Sequence, residues 1–593
     1  MLGFIIAGVL LIFIGTATFV GAVSGLAEDA DGKNIKIEDG TTLHLKLNKQ
    51  IVERSNGKDV DFDFGFMQGE SKIGVNQIKL ALRAAADDDK IKGIYLDVKA
   101  AMGGYAHLKE IRDEILTFRN SGKYVYAYSS IYSQGAYYLA SAADKVFIYP
   151  KGGMEWKGLF SELTFFKDAL DKVGVEMQVI RGSNNKFKSA VEPFLNSEMS
   201  DANREQITTY LTSIWNNLKT EVAASRKLTT EDLEEYAENY LIKNPQEAVN
   251  YGLVDKTMYR DEFLDMLMEK NGNSDELETI KLEKYFKSLN PRKEKKTDSD
   301  KPGFKLDKIA VIYANGEIGD GKGDANSIGY NIADAIKEAR EDEKVKAVVL
   351  RVNSPGGSAL MSDIIWRETQ LLTEEKPMVV SMGNYAASGG YYISAGANKI
   401  FAEPTTITGS IGVFGMLPSF KELAEEKIGV NFEGVETNKY ARMGLPTDKL
   451  TDEEYSIIQE GVDRIYGDFT NIVAQGRNMK QTYVDSIGQG RVWTGEDGLR
   501  LGLVDALGSL DNAIDEAADL AGLEDYRTID LPKMKDPFEE FMSELGIETV
   551  SHKILEYQVG KKSAELIKTV QNLQDLEGDA RIQMRLPYSI EIK

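Results

Sequence analysis

Ser388 has the sequence context of a catalytic nucleophile. It lies in the segment Ala386-Ala-Ser-Gly-Gly-Tyr391, between an apolar run that predicts a strand and a stretch that predicts a helix. A serine at such a turn lies beside N–H groups that the first turn of a helix leaves without acceptors. The structural alternative is a serine that only caps the helix, since serine is common at that position. The loop alone leaves both interpretations open.

A second glycine-rich loop, Asn353-Ser-Pro-Gly-Gly-Ser358, follows another predicted strand. Paired glycines let a ligand approach the backbone closely and expose N–H groups to it. We therefore expect an oxyanion hole formed by the backbone N–H of Gly389 together with that of Gly356 or Gly357. A pair of glycines is also common in an ordinary turn.

The chain contains two copies of one domain. Residues 135–146 resemble residues 389–400, and residues 90–98 resemble residues 344–352, in both cases 254 positions further along. The Gly-Leu-Val-Asp segment also occurs twice, at Gly252 and at Gly502. Collinear matches of this kind indicate a tandem duplication.

The two copies differ at two positions in a reciprocal way. The repeat alignment places Gln134 opposite Ser388, and Ala441 opposite Lys188. One composite site that takes its serine from the second copy and its lysine from the first explains both differences. Two unrelated surface changes are the alternative. The sequence leaves open whether serine and lysine meet within one chain or across a subunit boundary.

A serine–lysine pair has coherent chemistry. A serine hydroxyl needs a base to take its proton, and serine–lysine pairs are a known variant of the Ser-His-Asp arrangement. Lysine acts as a base only when it is neutral, which burial favours. Phe187 and Val191 beside Lys188 are apolar, so we expect Lys188 to be desolvated. Ser410 is a candidate to orient the lysine by hydrogen bonding, although a serine at the end of a strand often has no such role.

Short apolar runs alternate with helical stretches, as at 347–352 and 378–382 against 332–341 and 361–372. This alternation predicts parallel βαβ units and an α/β fold. The predicted organisation is an anchor, two repeats that supply the lysine and the serine, a charged linker between them, and a helical and then extended tail. Their residues are 1–27 for the anchor, 36–286 and 307–530 for the repeats, 287–306 for the linker and 531–593 for the tail.

The composition argues against several kinds of binding partner and catalytic site. The net charge is −23, and a surface this acidic makes nucleic acid an improbable partner. The absence of cysteine excludes thiolate nucleophiles and zinc–thiolate sites. The chain has three histidines and no His-Glu-x-x-His motif, so the common helical zinc-protease site is absent.

Residues 1–27 carry no charged side chain. A bilayer-spanning helix needs about 20 apolar residues, so this run predicts a single-pass membrane anchor. A cleaved signal peptide is the alternative, with small residues at Ala22, Ser24 and Ala27. The length of the uncharged run favours the anchor.

Taken together, these motifs resemble the long, tandem form of bacterial signal peptide peptidase A. The resemblance covers nearly the whole chain, from the anchor to the second Gly-Leu-Val-Asp segment. The segments that carry it are 188–193, 353–357, 388–392, 409–412 and 491–495.

The resemblance implies a crotonase-like α/β fold related to ClpP, with Ser388 as nucleophile and Lys188 as general base. It also implies a homotetramer without metal or cofactor, held in the bacterial cytoplasmic membrane and facing the periplasm. The implied substrates are released signal peptides and other apolar peptides. Two other classes stay open: a crotonase-type acyl-CoA enzyme, and a non-catalytic membrane scaffold.

Overall fold

The computed structural model describes residues 35–55, 72–272, 276–289, 306–324, 326–534 and 582–585. The chain divides into two compact units. The first takes residues up to 103, 110–156 and 239–296, and the second takes 104–109, 157–238 and residues from 297 onward. Residues 157–238 of the first copy therefore belong to the same unit as the whole described part of the second copy.

The strands, in chain order, are β1 (Thr41–Lys46), β2 (Gln50–Val52), β3 (Lys72–Gly74), β4 (Ile91–Asp97), β5 (Tyr124–Tyr132), β6 (Lys145–Met154), β7 (Glu176–Arg181), β8 (Lys256–Thr257), β9 (Thr279–Lys281), β10 (Asp307–Asn315), β11 (Glu317–Ile318), β12 (Ser327–Ile328), β13 (Val345–Ser354), β14 (Gly356–Ser358), β15 (Met378–Ala387), β16 (Lys399–Ala402), β17 (Ile407–Gly409), β18 (Phe414–Ser419), β19 (Val492–Thr494), β20 (Ala506–Leu507), β21 (Tyr526–Leu531) and β22 (Ile582–Arg585).

The helices, in chain order, are α1 (Val75–Asp87), α2 (Tyr105–Asn120), α3 (Gln134–Ala140), α4 (Lys167–Val173), α5 (Glu192–Leu195), α6 (Asp201–Arg226), α7 (Thr230–Glu238), α8 (Pro245–Asn250), α9 (Arg260–Asn271), α10 (Leu282–Ser288), α11 (Tyr330–Glu341), α12 (Ala359–Thr373), α13 (Gly389–Tyr392), α14 (Asp452–Gly476), α15 (Gln481–Ile487), α16 (Gly495–Leu501) and α17 (Leu510–Ala521).

The first unit is built on a sheet with the strand order β8-β6-β5-β4-β1-β9. Every pair of neighbours in it is parallel. Buried aromatic and apolar side chains cluster in this unit, among them Tyr95, Tyr128, Phe147 and Phe263. Parallel pairing with crossover helices is the arrangement that the alternating sequence predicts.

The second unit contains two sheets, one of eight strands and one of six. One has the order β19-β17-β15-β13-β10-β21, with β16 on the first half of β15 and β17 on its second half. All neighbours in it are parallel except β17 and β19. The other sheet has the order β12-β11-β14-β22-β18-β7. The second unit therefore confirms the predicted α/β class.

The elements of the second unit form for recognisable local reasons. β13 is a nearly continuous buried run, typical of a parallel strand covered on both faces. α11 buries Ile332, Ala335, Ile336 and Ala339, which lie on one face at helical spacing. The helix predicted over 332–341 is α11, and the strand predicted over 378–382 is the first half of β15.

Within the described ranges, no helix is both long enough and apolar enough to span a bilayer. The anchor predicted at 1–27 lies outside the described residues, and so does most of the linker predicted at 287–306. Of the predicted tail, the structure describes 531–534 and 582–585. The latter segment is β22, where the sequence predicts extended chain after Arg581.

Candidate active site

Ser388 occupies the turn between β15 and α13. Its φ of 53° and ψ of −115° lie in a region that non-glycine residues rarely adopt. The turn is held by the Ser388 N–H, which donates to the carbonyl oxygen of Gly409 at 2.8 Å. The side chain is fully buried. Backbone strain of this kind concentrates at functional sites, where the surrounding structure holds it in place.

Lys188 follows β7 and points at the Ser388 hydroxyl. The Lys188 Nζ lies 2.8 Å from the Ser388 Oγ, 3.0 Å from the Ser410 Oγ and 3.3 Å from the Ser410 carbonyl oxygen. All these residues belong to the second compact unit. The structure thus brings serine and lysine together within one chain.

The environment of Lys188 favours the neutral amine. The side chain is 0% exposed, and its described polar neighbours are hydroxyl and carbonyl oxygens. Burial lowers the pKa of Lys188 well below its ordinary value, because the charged form loses its hydration. A neutral amine at 2.8 Å is able to accept the proton of the Ser388 hydroxyl.

Ser410 lies at the end of β17 and also has a positive φ, of 50°. Its N–H donates to the carbonyl oxygen of Arg491 at 2.7 Å, which fixes the turn. Both oxygen atoms of Ser410 face the lysine amine. This geometry is the one expected of a residue that orients Lys188.

The two glycine loops meet at one place. Gly356, with a φ of 98°, lies so close to Gly389 that a Cβ built on Gly356 would be 2.8 Å from the Gly389 amide nitrogen. Gly357, with a φ of 153°, leaves no room for a side chain either, because a Cβ there would lie 2.0 Å from the Ile318 carbonyl oxygen. The N–H of Gly356 donates to the Ser354 Oγ at 3.2 Å. That bond engages the Gly356 N–H within its own loop.

Gln206 on α6 is a buried residue of this site that carries no sequence signal. Its Nε2 lies 3.1 Å from the Phe187 carbonyl oxygen and 2.8 Å from the Ser189 Oγ, on either side of Lys188. Its Oε1 accepts the N–H of Val492 at 3.2 Å. One fully buried amide thus ties the lysine loop to β19.

Gly490 is a second residue that sequence reasoning misses. Its φ is 79°, and a Cβ on it would lie 2.5 Å from the Lys188 Cβ. Its N–H donates to the Ile411 carbonyl oxygen at 2.7 Å, and the neighbouring Gln489 carbonyl oxygen accepts the Phe187 N–H at 2.8 Å. The pair of glycines just before the Arg-Val-Trp-Thr-Gly segment is the signal that points to this close approach.

The Arg491-Val-Trp-Thr-Gly495 segment has a structural role. The Arg491 guanidinium lies over the rings of Phe187 and Trp493, 4.5 Å from each centroid. Thr494 caps α16, its Oγ1 accepting the Asp497 N–H at 3.2 Å.

The structure also describes the two residues that the repeat alignment places opposite Ser388 and Lys188. In the first unit, Gln134, which the alignment places opposite Ser388, is the first residue of α3 and follows the N-cap Ser133. Ala441, opposite Lys188 in the alignment, is exposed.

In the part of the chain that the structure describes, no cluster of acidic and histidine side chains is able to hold a metal ion. A serine hydroxyl, a neutral lysine and two converging glycine loops are the components that acyl transfer needs.

Comparison with known proteins agrees with this chemistry. A family model described as peptidase family S49 matches residues 117–274 and 370–524, one stretch in each copy. "Protease 4" from Haemophilus influenzae is 39% identical over 465 residues, which cover 76% of this chain and 73% of that protein. "Serine protease SPPA, chloroplastic" from Arabidopsis thaliana is 33% identical over 512 residues, covering 85% of this chain and 72% of that protein. The two matched stretches confirm the tandem duplication.

Two shorter similarities cover less of the chain. "Putative signal peptide peptidase SppA" from Enterococcus faecium is 39% identical over 215 residues, 35% of this chain and 62% of that protein. The solved structure of a ClpP1 mutant from Listeria monocytogenes is 13% identical with a TM-score of 0.23, covering 34% of this chain and 94% of that one. At that TM-score the similarity is too low to support a conclusion about this fold.

Proposed function

Because the chain belongs to peptidase family S49 and is a serine peptidase, we propose that Ser388 is its nucleophile and Lys188 its general base. Family membership sets aside the acyl-CoA enzyme and the non-catalytic scaffold. The observation that carries the assignment is the 2.8 Å separation of the Lys188 Nζ and the Ser388 Oγ, with the lysine fully buried.

In the proposed reaction, neutral Lys188 accepts the hydroxyl proton while the Ser388 Oγ forms a bond to the carbonyl carbon of the scissile peptide. The C–N bond then breaks, and the leaving amine takes the proton from Nζ. The acyl group stays on Oγ as an ester. Water, deprotonated by the same lysine, hydrolyses the ester and restores the serine.

The N–H groups of Gly389 and Gly357 are the proposed donors to the oxyanion. The assignment of the Gly389 N–H is supported by its position next to Ser388 and close to Gly356. Gly357 is favoured over Gly356 because the Gly356 N–H already donates to Ser354. Each such donor typically contributes about 10²–10³ in rate.

We further propose that the substrates are apolar peptides, above all released signal peptides. Beside the glycine loops, the side chain of Met584 is completely buried in the main apolar cluster of the unit, together with Ile318 and Leu417. A site that takes up methionine in this way favours apolar side chains. The name of the Enterococcus faecium relative supports the same substrate class.

The proposed location is the cytoplasmic membrane of a bacterium, with the catalytic units facing the periplasm and residues 1–27 as the anchor. The uncharged N-terminal sequence supports the anchor. A tethered peptidase meets membrane-held peptides at high effective concentration. A homotetramer is the proposed assembly, by resemblance to the tandem signal peptide peptidases.

The deciding experiment measures cleavage of a fluorogenic, apolar signal-peptide substrate by the wild type, Ser388→Ala, Lys188→Ala and the double variant. We expect Lys188→Ala to lose about 10²–10⁴ in kcat/KM, the contribution typical of a general base. Ser388→Ala should be inactive, and the double variant should be no worse, because the two residues act as one unit.

Lys186→Ala is the matched control, since Lys186 is exposed and two positions away. Circular dichroism checks that each variant is folded. A folded Lys188→Ala enzyme that keeps most of its activity rules out Lys188 as the base.

A further inference from the structure

The turn formed by residues 488–491, between α15 and β19, contacts both Lys188 and the serine that faces its amine. Gly490 in this turn lies against the lysine, since a Cβ built on Gly490 would be 2.5 Å from the Lys188 Cβ. The carbonyl oxygen of Arg491 accepts the N–H of Ser410 at 2.7 Å, and the Ser410 Oγ lies 3.0 Å from the Lys188 Nζ. The position of this turn therefore affects both partners.

Gln489 gives the turn a backbone conformation that is uncommon for residues other than glycine, with a φ of 53°. Two hydrogen bonds hold it. The Gln489 N–H donates to the Tyr466 hydroxyl at 3.2 Å, and the Gln489 carbonyl oxygen accepts the Phe187 N–H at 2.8 Å. Backbone of this kind persists only where the surroundings determine it, so the Tyr466 hydroxyl is part of what fixes the turn.

The Tyr466 hydroxyl is itself held by Asp485 on α15. The Tyr466 ring is buried in the main apolar cluster of the unit, and its hydroxyl donates to the Asp485 carboxylate at 2.7 Å. Burial and this acceptor both raise the pKa of Tyr466, so the hydroxyl keeps its proton at neutral pH. The same carboxylate accepts the Asn184 side-chain N–H at 2.6 Å, in the loop that carries Lys188. One carboxylate is thus bonded to the turn through the tyrosine and to the lysine loop directly.

We propose that Tyr466 and Asp485 are positioning residues that keep the Lys188 amine in place against the Ser388 hydroxyl. The side-chain hydrogen bonds described for them go to Gln489 and Asn184, so they act through the turn and the loop rather than on the reacting atoms. The inference rests on the roles proposed for Ser388 and Lys188, and adds two residues to that site.

A loosened turn has two expected consequences. The Lys188 Nζ shifts relative to the Ser388 Oγ, which lowers kcat because proton transfer depends on their geometry. Water also gains access to the amine, so the pKa of Lys188 rises toward its ordinary value. None of the described side-chain hydrogen bonds of Tyr466 or Asp485 goes to the glycine loops, so KM should change little.

The test measures kcat, KM and the pH profile of kcat/KM for Tyr466→Phe on an apolar fluorogenic peptide, with thermal melting followed by circular dichroism. This change keeps the buried ring and removes only the hydroxyl. We expect kcat at pH 7 to fall about 10–100-fold, with little change in KM and a pH midpoint moved to higher pH. Tyr483→Phe is the matched control on α15, because Tyr483 is exposed and its hydroxyl bonds the Leu501 carbonyl oxygen instead; it should match the wild type.

Two changes at Asp485 provide an independent test, and they decide the matter if Tyr466→Phe does not fold. Asp485→Ala should show the same change in kcat and pH midpoint, at least as large, because it also releases Asn184. Asp485→Asn keeps one oxygen that accepts the tyrosine hydroxyl. It should therefore recover most of the kcat that Asp485→Ala loses.

The outcomes that overturn the inference differ from those that overturn the proposed function. A Tyr466→Phe enzyme with a lower melting temperature but the kcat and pH midpoint of the wild type shows that the tyrosine only supports the fold. A fall in kcat with an unmoved midpoint also refutes the inference, since the amine then keeps its surroundings. If Lys188→Ala keeps most of its activity, the proposed base itself is wrong.

Discussion

At the scale of single residues, Lys188 combines complete burial with hydroxyl and carbonyl oxygens around its amine. Burial lowers the pKa of Lys188, because the charged amine loses its hydration. Burial makes the neutral amine available as a base at a lower pH than for an exposed lysine, and it lowers the stability of the fold. Two measurements separate these consequences.

The first measurement is the pH dependence of kcat/KM, which reports the pKa values of groups in the free enzyme. Only neutral Lys188 is able to accept the serine proton, so activity should rise as the pH rises through the pKa of the folded-state lysine. Because burial lowers that pKa, the midpoint should lie well below 10.5. A substrate without ionisable groups is the control, and a midpoint near 10.5 would contradict a desolvated base.

The second measurement is the thermal stability of Lys188→Met as a function of pH. The unfolded chain binds a proton on this lysine below about 10.5, whereas the folded chain keeps the amine neutral down to its lowered pKa. Between these two values the unfolded state binds more protons, so wild-type stability falls as the pH falls.

Lys188→Met removes the loss of stability that the wild type shows as the pH falls. We expect an inactive variant whose melting temperature exceeds that of the wild type, by a margin that grows from about pH 10 to about pH 7. A gain of about 1 kcal/mol raises the melting temperature of a domain of about 150–250 residues by about 2–4 °C. Lys186→Met, at an exposed position, is the control and should show no such growth. An equal margin at both pH values would argue that Lys188 is charged in the folded state.

At the scale of elements, three loops and one helix hold the site. The turns after β15 and β17 carry Ser388 and Ser410, both with positive φ. The loop after β7 carries Lys188, and Gln206 on α6 donates hydrogen bonds to that loop. The rigid parts are strands and a long helix, so the reacting atoms are placed by packing and by backbone hydrogen bonds.

Gln206→Met tests whether α6 positions the lysine. The change keeps the length of the side chain but leaves the buried Phe187 carbonyl and Val492 N–H without their partner, which typically costs about 1–3 kcal/mol. We expect kcat to fall about 10–100-fold with little change in KM, since a displacement of about 1 Å is enough for such losses.

A positioning role also predicts that the midpoint of the pH profile moves in Gln206→Met, which a purely structural role does not. Gln246→Met, at an exposed position on α8, is the control for the same replacement. If stability falls but kcat and the pH profile match the wild type, Gln206 only supports the fold.

At the scale of the whole molecule, the proposed catalytic pair takes one residue from each copy of the domain. Position 134 of the first copy is a glutamine, and position 441 of the second is an alanine. The described second unit combines the serine of one copy with the lysine of the other. In the proposed mechanism, the duplication therefore divides this site between the two copies.

This division predicts one acyl-enzyme for each chain. Trapping with an activated ester of an apolar peptide, followed by intact mass spectrometry, should show a single added acyl group on the wild type and none on Ser388→Ala. Gln134→Ser should still show one, because a serine without a buried lysine beside it is not activated. Two acyl groups on the wild type would require a second nucleophile.

The sequence by itself determines the duplication, the α/β class and the pairing of Ser388 with Lys188. Repeats and apolar runs are local patterns, and they predicted β13 and α11 to within two residues at each end but only the first half of β15. Position 134 lacks the serine, and position 441 lacks the lysine, that the other copy has. These differences can be recognised because the two copies can be aligned with each other. They identify which residues belong together without giving any distance between them.

Only the tertiary structure determined which distant residues hold the Lys188 and Ser388 loops in place and which strand lies beside the glycine loops. Gln206, Gly490 and Met584 are far apart along the chain. The local sequence gives no signal for Gln206 or Met584, and the glycines around Gln489 indicate a close approach without showing that its partner is Lys188. Their roles come from burial and hydrogen bonds between distant segments, as between Gln206 and the Val492 N–H. Such contacts depend on how the strands and helices pack, so a strand like β22 reveals its place beside Gly356 only once the sheet is formed.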